Sequence, residues 1–267
     1  ILVVHYLKFN ICTLMKNKIH NYDFLIVGGG LIGCLAGLNL SRKKYKILII
    51  DKDTELQKDN RTLAVNANSM EFLNNLGIWN KLKSQPEPIK QIIIKDYINS
   101  SELIFENSEE DMGSVIFNKE LLIEARKKLI SKKLILLGVK IPLSDIDVNK
   151  KIYIKNKYYI FKNIIFSIGK KNQEESVIKK LSFALEHTAH VGFFKHTNHH
   201  RQTAYEIFTP KGPLAVLPAP DNYKKKSTFI YTSKHFTTDL EIKSMINKNF
   251  KTSHGDIYLQ KKINQFK

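Results

Sequence analysis

The sequence predicts an α/β fold, and three observations carry that expectation. Phe24-Leu25-Ile26-Val27 is a short apolar run with a β-branched centre that leads straight into glycine, the pattern of a buried parallel strand. Gly28-Gly29-Gly30-Leu31-Ile32-Gly33 follows and opens a stretch to Arg42 with Leu31, Leu35 and Leu38 at helical spacing. Lys46-Ile47-Leu48-Ile49-Ile50 is then a second buried run, closed by Asp51.

The order strand, glycine loop, helix, strand, acid is that of a Rossmann-like dinucleotide site. Gly28 permits the tight turn, Gly30 lets backbone amides approach a pyrophosphate, and Gly33 allows close helix–strand packing. Gly29, Leu31 and Ile32 complete the loop and first helical turn, whose free N–H groups and partial positive charge suit phosphates. Asp51 can accept hydrogen bonds from the adenosine ribose and would repel a 2′-phosphate. The plain alternative is a glycine turn followed by a surface acid. This pattern does not separate NAD from FAD. Cys34, just inside the helix, reads as a small packed residue in preference to a redox thiol.

Composition bounds the rest. With 267 residues, 43% hydrophobic and 10% aromatic, the chain can bury a sizeable core, and wholesale disorder is excluded. No apolar run reaches the ~18–20 residues of a membrane-spanning helix. Two cysteines, Cys12 and Cys34, exclude a disulfide scaffold and favour a reducing, cytoplasmic setting. The net charge is +18, yet only Arg42, Arg61, Arg126 and Arg201 among the 43 basic residues are arginine. Base and phosphate readers lean on the arginine fork, so the reading is a lysine-rich solvated surface with no specific nucleic-acid partner. Met15 is the expected natural start. Residues 1–20 are expected to lie outside the fold, and Ile1 to Leu14 carries no signal-peptide pattern.

Further segments carry a family resemblance. Asp59-Asn60-Arg61-Thr62-Leu63-Ala64 with Phe72-Leu73-Asn74-Asn75-Leu76-Gly77-Ile78-Trp79 resembles the "D-x-R-x-x-A-L-S … L-x-x-L-G-x-W" segment of flavin-dependent aromatic-ring hydroxylases of the p-hydroxybenzoate hydroxylase type. Met112 to Leu122 is similar to that family's "L-G-x-V-V-x-N-x-x-L" helix entry. The run from Thr203 to Pro218, ending Gly212-Pro213-Leu214-Ala215-Val216-Leu217-Pro218, is similar to the "A-x-E-x-F-x-x-x-G-P-L-A-x-L-P" segment of the ubiquinone-biosynthesis hydroxylase subgroup.

The resemblance implies an FAD-binding domain interleaved with a mixed β-sheet substrate domain. Residues 21–85 and 111–170 would build the first, residues 86–110 and 171–267 the second. Strands are expected near Gln91–Lys95, Gly192–Lys195, Thr203–Phe208 and Thr228–Tyr231. Gly212-Pro213 belongs at a strand end near the flavin or in a hairpin turn. The implied cofactor is FAD, with NAD(P)H and O2 as co-substrates and a phenol as substrate. A prenylated phenol would bring the protein to the inner face of a membrane as a peripheral protein. Arg61 would touch the FAD, or pair with Asp59; Asn118 would contact it, or cap the helix that follows.

Two departures stand out. Ile168 occupies the position of the family's Asp in "A-D-G-x-x-S-x-x-R", and an apolar side chain accepts no hydrogen bond, which bears on NAD(P)H use. The second FAD segment, "G-D-A-A-H … P-x-x-G-Q-G", has no counterpart, and Ser253-His254-Gly255-Asp256 reads instead as a helix start. The expectation is therefore a truncated hydroxylase, with a non-catalytic nucleotide-binding remnant, or half of a split protein completed by a partner fragment, as the alternative. A plain NAD dehydrogenase is the enzyme runner-up. His187, His190, His196, His199 and His200 read as exposed loop histidines or one pocket-lining residue, not a metal site. No G-x-S-x-G elbow occurs, and no catalytic base can be assigned; Tyr205 and His196 are candidates by location only.

Overall fold

The computed structural model describes residues 19–56, 61–99, 101–107, 109–142, 150–169, 186–234, 237–259 and 263–266. In chain order the elements are β1 (Ile19–Val27), α1 (Leu31–Arg42), β2 (Ile47–Asp51), β3 (Thr62–Val65), α2 (Ala67–Asn75), β4 (Glu87–Ile89), β5 (Gln91–Asp96) and β6 (Glu102–Glu106). They continue with β7 (Gly113–Phe117), α3 (Asn118–Ser131), β8 (Ile135–Leu137), β9 (Lys151–Ile154), β10 (Lys157–Phe166), β11 (Thr188–His196) and β12 (Thr203–Thr209). The last are β13 (Gly212–Pro218), β14 (Lys226–Ser233), α4 (Asp239–His254), β15 (Ile257–Leu259) and β16 (Asn264–Phe266).

The chain divides into two compact units and passes between them: Ile1–Leu56 with Ala125–Lys180, and Gln57–Glu124 with Leu181–Lys267. Strands β3, β4 and β7 fall in the second unit, where β3 and β4 both pair with β7.

The first unit is built on a five-stranded sheet, β8-β2-β1-β10-β9, parallel except for β9. All five residues of β2 are buried, as a parallel strand covered on both faces requires. Leu25, Leu48, Ile50 and Phe161 anchor one core. On α1 the buried residues are Gly33, Cys34, Gly37 and Leu38, so the helix approaches through three small residues and Leu38, while Leu31 and Leu35 of the expected stripe are only half-buried. A Cβ at Gly37 would lie 2.5 Å from Cδ1 of Ile49. β1 begins earlier than expected: Ile19 and His20 pair with Tyr158 and Tyr159, because β10 is long enough to receive them. The outer bound at residue 20 therefore moves outward. Met15 lies outside the described residues.

The second unit holds an eight-stranded sheet ordered β15-β11-β14-β13-β12-β5-β6, with β16 also on β11, and a three-stranded sheet β3-β7-β4. The four expected strands are present as β5, β11, β12 and β14, each longer than read. Gly212 and Pro213 sit at the start of β13, opposite Thr209 and Phe208, so they close a hairpin. This is a strand end, where proline interrupts no central ladder. α4 is started by a capping box between Thr238 and Glu241. It lays Ile242, Ile246 and Phe250 against Phe194, Leu214 and Phe229. Its spacing of four residues keeps these side chains on one face.

The expected helix start at Ser253 to Asp256 is instead a helix end. Gly255 takes φ 75 at the C-cap, and its N–H bonds Lys251 O at 2.8 Å. A left-handed glycine closes helices, and the same Gly-Asp pair reads either way in isolation. The histidine expectation changes too. His190, His196 and His200 are buried, joined by His254. The ring of His196 meets that of His254 at 4.6 Å and that of His200 at 6.0 Å. Among the described residues no group of His, Cys, Asp and Glu has metal-binding geometry. Nor does any described helix have the length and apolarity to cross a membrane.

Candidate nucleotide-binding site

Between β1 and α1 the backbone turns through Gly28 at φ 108, a conformation that L side chains rarely adopt. A Cβ at Gly33 would stand 1.9 Å from the carbonyl oxygen of Gly28, so loop and helix touch backbone to backbone. Ser167, just after β10, donates its Oγ–H to that same oxygen at 2.7 Å and fixes the turn from the neighbouring strand.

The helix entry is open. Gly30 is the N-cap, no side chain caps it, and the first turn carries no acid. The first intrahelical bond runs from Cys34 N to Gly30 O at 2.9 Å, which leaves the N–H groups of Leu31, Ile32 and Gly33 ahead of it. A Cβ built at Gly30 meets nothing within 4 Å, and Ile32 is 72% exposed. Unsatisfied amides beside open space are what an anionic pyrophosphate requires, so the residues fit such a group. Cys34 is fully buried, donates to Gly29 O at 3.2 Å, and has its thiol pushed up by burial to about 11; it is a packed thiol.

Asp51 ends β2 and is buried. Its Oδ2 accepts from the Gly29 N–H and from Nη2 of Arg126 at 3.1 Å. Its Oδ1 accepts from Asp53 N at 2.8 Å. Arg126 also donates from Nε to Gly29 O at 3.0 Å. The sequence reading passed over Arg126. Its signal was there: it follows Ala125 in the buried Leu121–Ala125–Leu129 stripe of α3, where a charged residue needs a partner.

Arg61 and Asn118 come together in the second unit. Asn118 N donates to Arg61 O at 3.0 Å. The Arg61 guanidinium lies over the Phe266 ring at 5.5 Å, while Asn118 is buried as the first residue of α3. Asp59, the alternative partner of Arg61, lies outside the described residues. Ile168 packs partly buried against the core of the first unit. Tyr205 packs edge-on against Phe250 at 5.1 Å and His196 bonds Asn198 O and Ser227 Oγ, so both serve the second unit's interior.

Residues 21–128, which include the glycine loop and Asp51, match the family described as FAD binding domain. The front of this chain is thus similar to an FAD binding domain. The chain is also 27% identical over 237 residues to ubiquinone hydroxylase UbiL of Rhodospirillum rubrum, which covers 79% of this chain and 52% of that protein. It is 22% identical over 232 residues to the mitochondrial ubiquinone biosynthesis monooxygenase COQ6 of Caenorhabditis elegans, covering 77% and 51%. The chain thus spans about half the length of these relatives. Among solved structures, p-nitrophenol 4-monooxygenase PnpA of Pseudomonas putida superposes with TM-score 0.65 at 11% identity, covering 92% of this chain and 68% of that one. A flavoprotein/dehydrogenase of Cytophaga hutchinsonii gives 0.66 at 12% identity, covering 91% and 66%. At such identities the likeness speaks for the fold alone, an α/β fold.

Proposed function

We propose that this FAD binding domain serves a flavin-dependent monooxygenase that hydroxylates a phenolic ring in ubiquinone biosynthesis, using NAD(P)H and O2. The observation that carries the reading is the open amide loop at Gly30 beside Asp51, inside the segment that matches the FAD binding domain. The similarity to UbiL and COQ6 supports the substrate class, a phenol, and a prenylated one in the finer reading. Such a substrate implies peripheral contact with a membrane surface.

When bound, FAD supplies the oxidation–reduction chemistry. The chain's own part is to bind and orient it. The N–H groups of Leu31, Ile32 and Gly33 would hold the pyrophosphate, Asp51 the adenosine ribose, and Arg61 and Asn118 would contact the cofactor. Domain roles follow the same reading: residues 21–85 and 111–170 for FAD, 86–110 and 171–267 for substrate. Steady-state NAD(P)H oxidation, with and without a prenylated phenol, tests the activity. Phenol-stimulated oxidation with a hydroxylated product supports it, and flavin-loaded protein inert to both nicotinamides refutes it.

A second reading, FAD binding without turnover, is favoured by Ile168. By the resemblance it stands at the position of the family's Asp, and it packs into a core. Stopped-flow mixing with NADH or NADPH in the presence of a prenylated phenol separates the two: bleaching of the bound flavin excludes the second reading, and an unchanged spectrum excludes the first.

A further inference from the structure

We infer that Arg126 and Asp51 form a paired donor–acceptor site for the vicinal hydroxyls of an unphosphorylated adenosine ribose. The inference rests on the FAD reading above and deepens it by adding Arg126, a residue that the glycine-loop pattern does not contain.

A guanidinium offers five N–H donors in a fixed plane. In Arg126, Nε is spent on Gly29 O at 3.0 Å and Nη2 on Asp51 Oδ2 at 3.1 Å. Nη1 is buried and has no partner among the described residues. A charged, desolvated donor without a partner is costly, and in native proteins such groups commonly await a water or a ligand. The carboxylate shows the complementary vacancy. Oδ2 takes two donors, Gly29 N–H and Arg126, while Oδ1 takes Asp53 N–H at 2.8 Å as its one donor among the described residues. Each carboxylate oxygen has room for about two donors. The side chains of Arg126 and Asp51 keep 9% and 10% of their surface, so an edge of the pair meets solvent.

An unused donor on Arg126 and an unused acceptor on its ion-pair partner Asp51 are the complement of a diol, whose hydroxyls donate to the carboxylate and accept from the guanidinium. A 2′-phosphate offers acceptors only and brings negative charge to Asp51, so the pair selects the free diol. Both backbone groups of Gly29 are clamped by the same pair, its N–H by Asp51 and its C=O by Arg126. Diol recognition and the shape of the glycine loop are therefore set together.

The test uses ADP, which carries the ribose diol and pyrophosphate without flavin, and 2′-deoxy-ADP as its control. Calorimetric titration of the wild-type chain should show ADP about 10-fold tighter than 2′-deoxy-ADP. Arg126→Gln should weaken ADP about 10-fold and bring the two ligands together, and Arg126→Lys should recover part of the preference. Thermal melts report whether each variant is folded; if Arg126→Gln is not, Arg126→Lys and the wild-type ligand pair still decide. Wild-type chain that binds both ligands equally, or folded variants that keep the wild-type ratio, overturn the inference while leaving the FAD reading standing. Wild-type chain that binds neither ADP nor FAD overturns both.

Discussion

Gly33 and Gly28 are in backbone contact: a Cβ on Gly33 would fall 1.9 Å from the Gly28 carbonyl oxygen and 2.5 Å from Ser167 Oγ. Neither neighbour can yield cheaply, since Gly28 is held in a left-handed turn and Ser167 is tied to it by a hydrogen bond. Gly33→Ala should therefore destabilise the first unit by about 2–4 kcal/mol and lower FAD affinity at least about tenfold. Chemical denaturation and flavin fluorescence titration check the two effects separately.

The buried histidines make the second unit acid-sensitive. Burial, reinforced by neighbouring histidines, lowers His200 to about 3, and burial beside His196 lowers His254 to about 4. An unfolded histidine titrates near pH 6.5, so between about pH 6.5 and 4 the unfolded chain binds protons that the folded chain refuses. Stability should be full above neutral pH and fall as pH drops through that window, by about 1–2 kcal/mol per histidine once partial solvation is allowed for. Glu87 is pushed up by burial and offsets part of the loss. Urea denaturation at pH 7.5 and pH 5 reads the difference, and His254→Phe should flatten it.

Cys34 should resist alkylation in the folded protein. Its thiol is fully buried and raised to about 11, so thiolate at pH 8 is scarce and shielded. Iodoacetamide followed by peptide mass mapping should leave the Cys34 peptide unlabelled until denaturant is added. Rapid native labelling would contradict its placement in the core of α1.

Gly212 sits at φ 139, and a Cβ there would meet Thr232 O at 1.9 Å. Gly212→Ala should loosen the β12–β13 hairpin against β14 and cost about 2–3 kcal/mol, measurable by thermal melting. Unchanged stability would mean that the hairpin is not packed as described.

Much of the first unit was legible because its signals are local. The apolar run before Gly28, the glycine spacing and the buried run into Asp51 each fix geometry within a few residues. What long-range pairing decides was less legible. Ile19 and His20 join β1 only because β10 receives them, and β3 and β4 find β7 across long stretches of chain. Gly255 could start or stop a helix until α4 was seen arriving from Thr238. The histidines carry no periodicity that announces burial, since sheet and helix bring them together from distant positions. Arg126 was the costliest omission in the site: a charge beside an apolar helical stripe pointed inward, but its partner lay 75 residues away.

The central claim is that the glycine loop and Asp51 of this chain hold FAD. The most direct measurement is the visible spectrum of the purified chain after incubation with FAD and removal of the excess, with the flavin released by heat and quantified. The account predicts flavin absorption bands and close to one FAD per chain, lost in Gly33→Ala. A colourless chain that is folded by circular dichroism yet retains no FAD would contradict it.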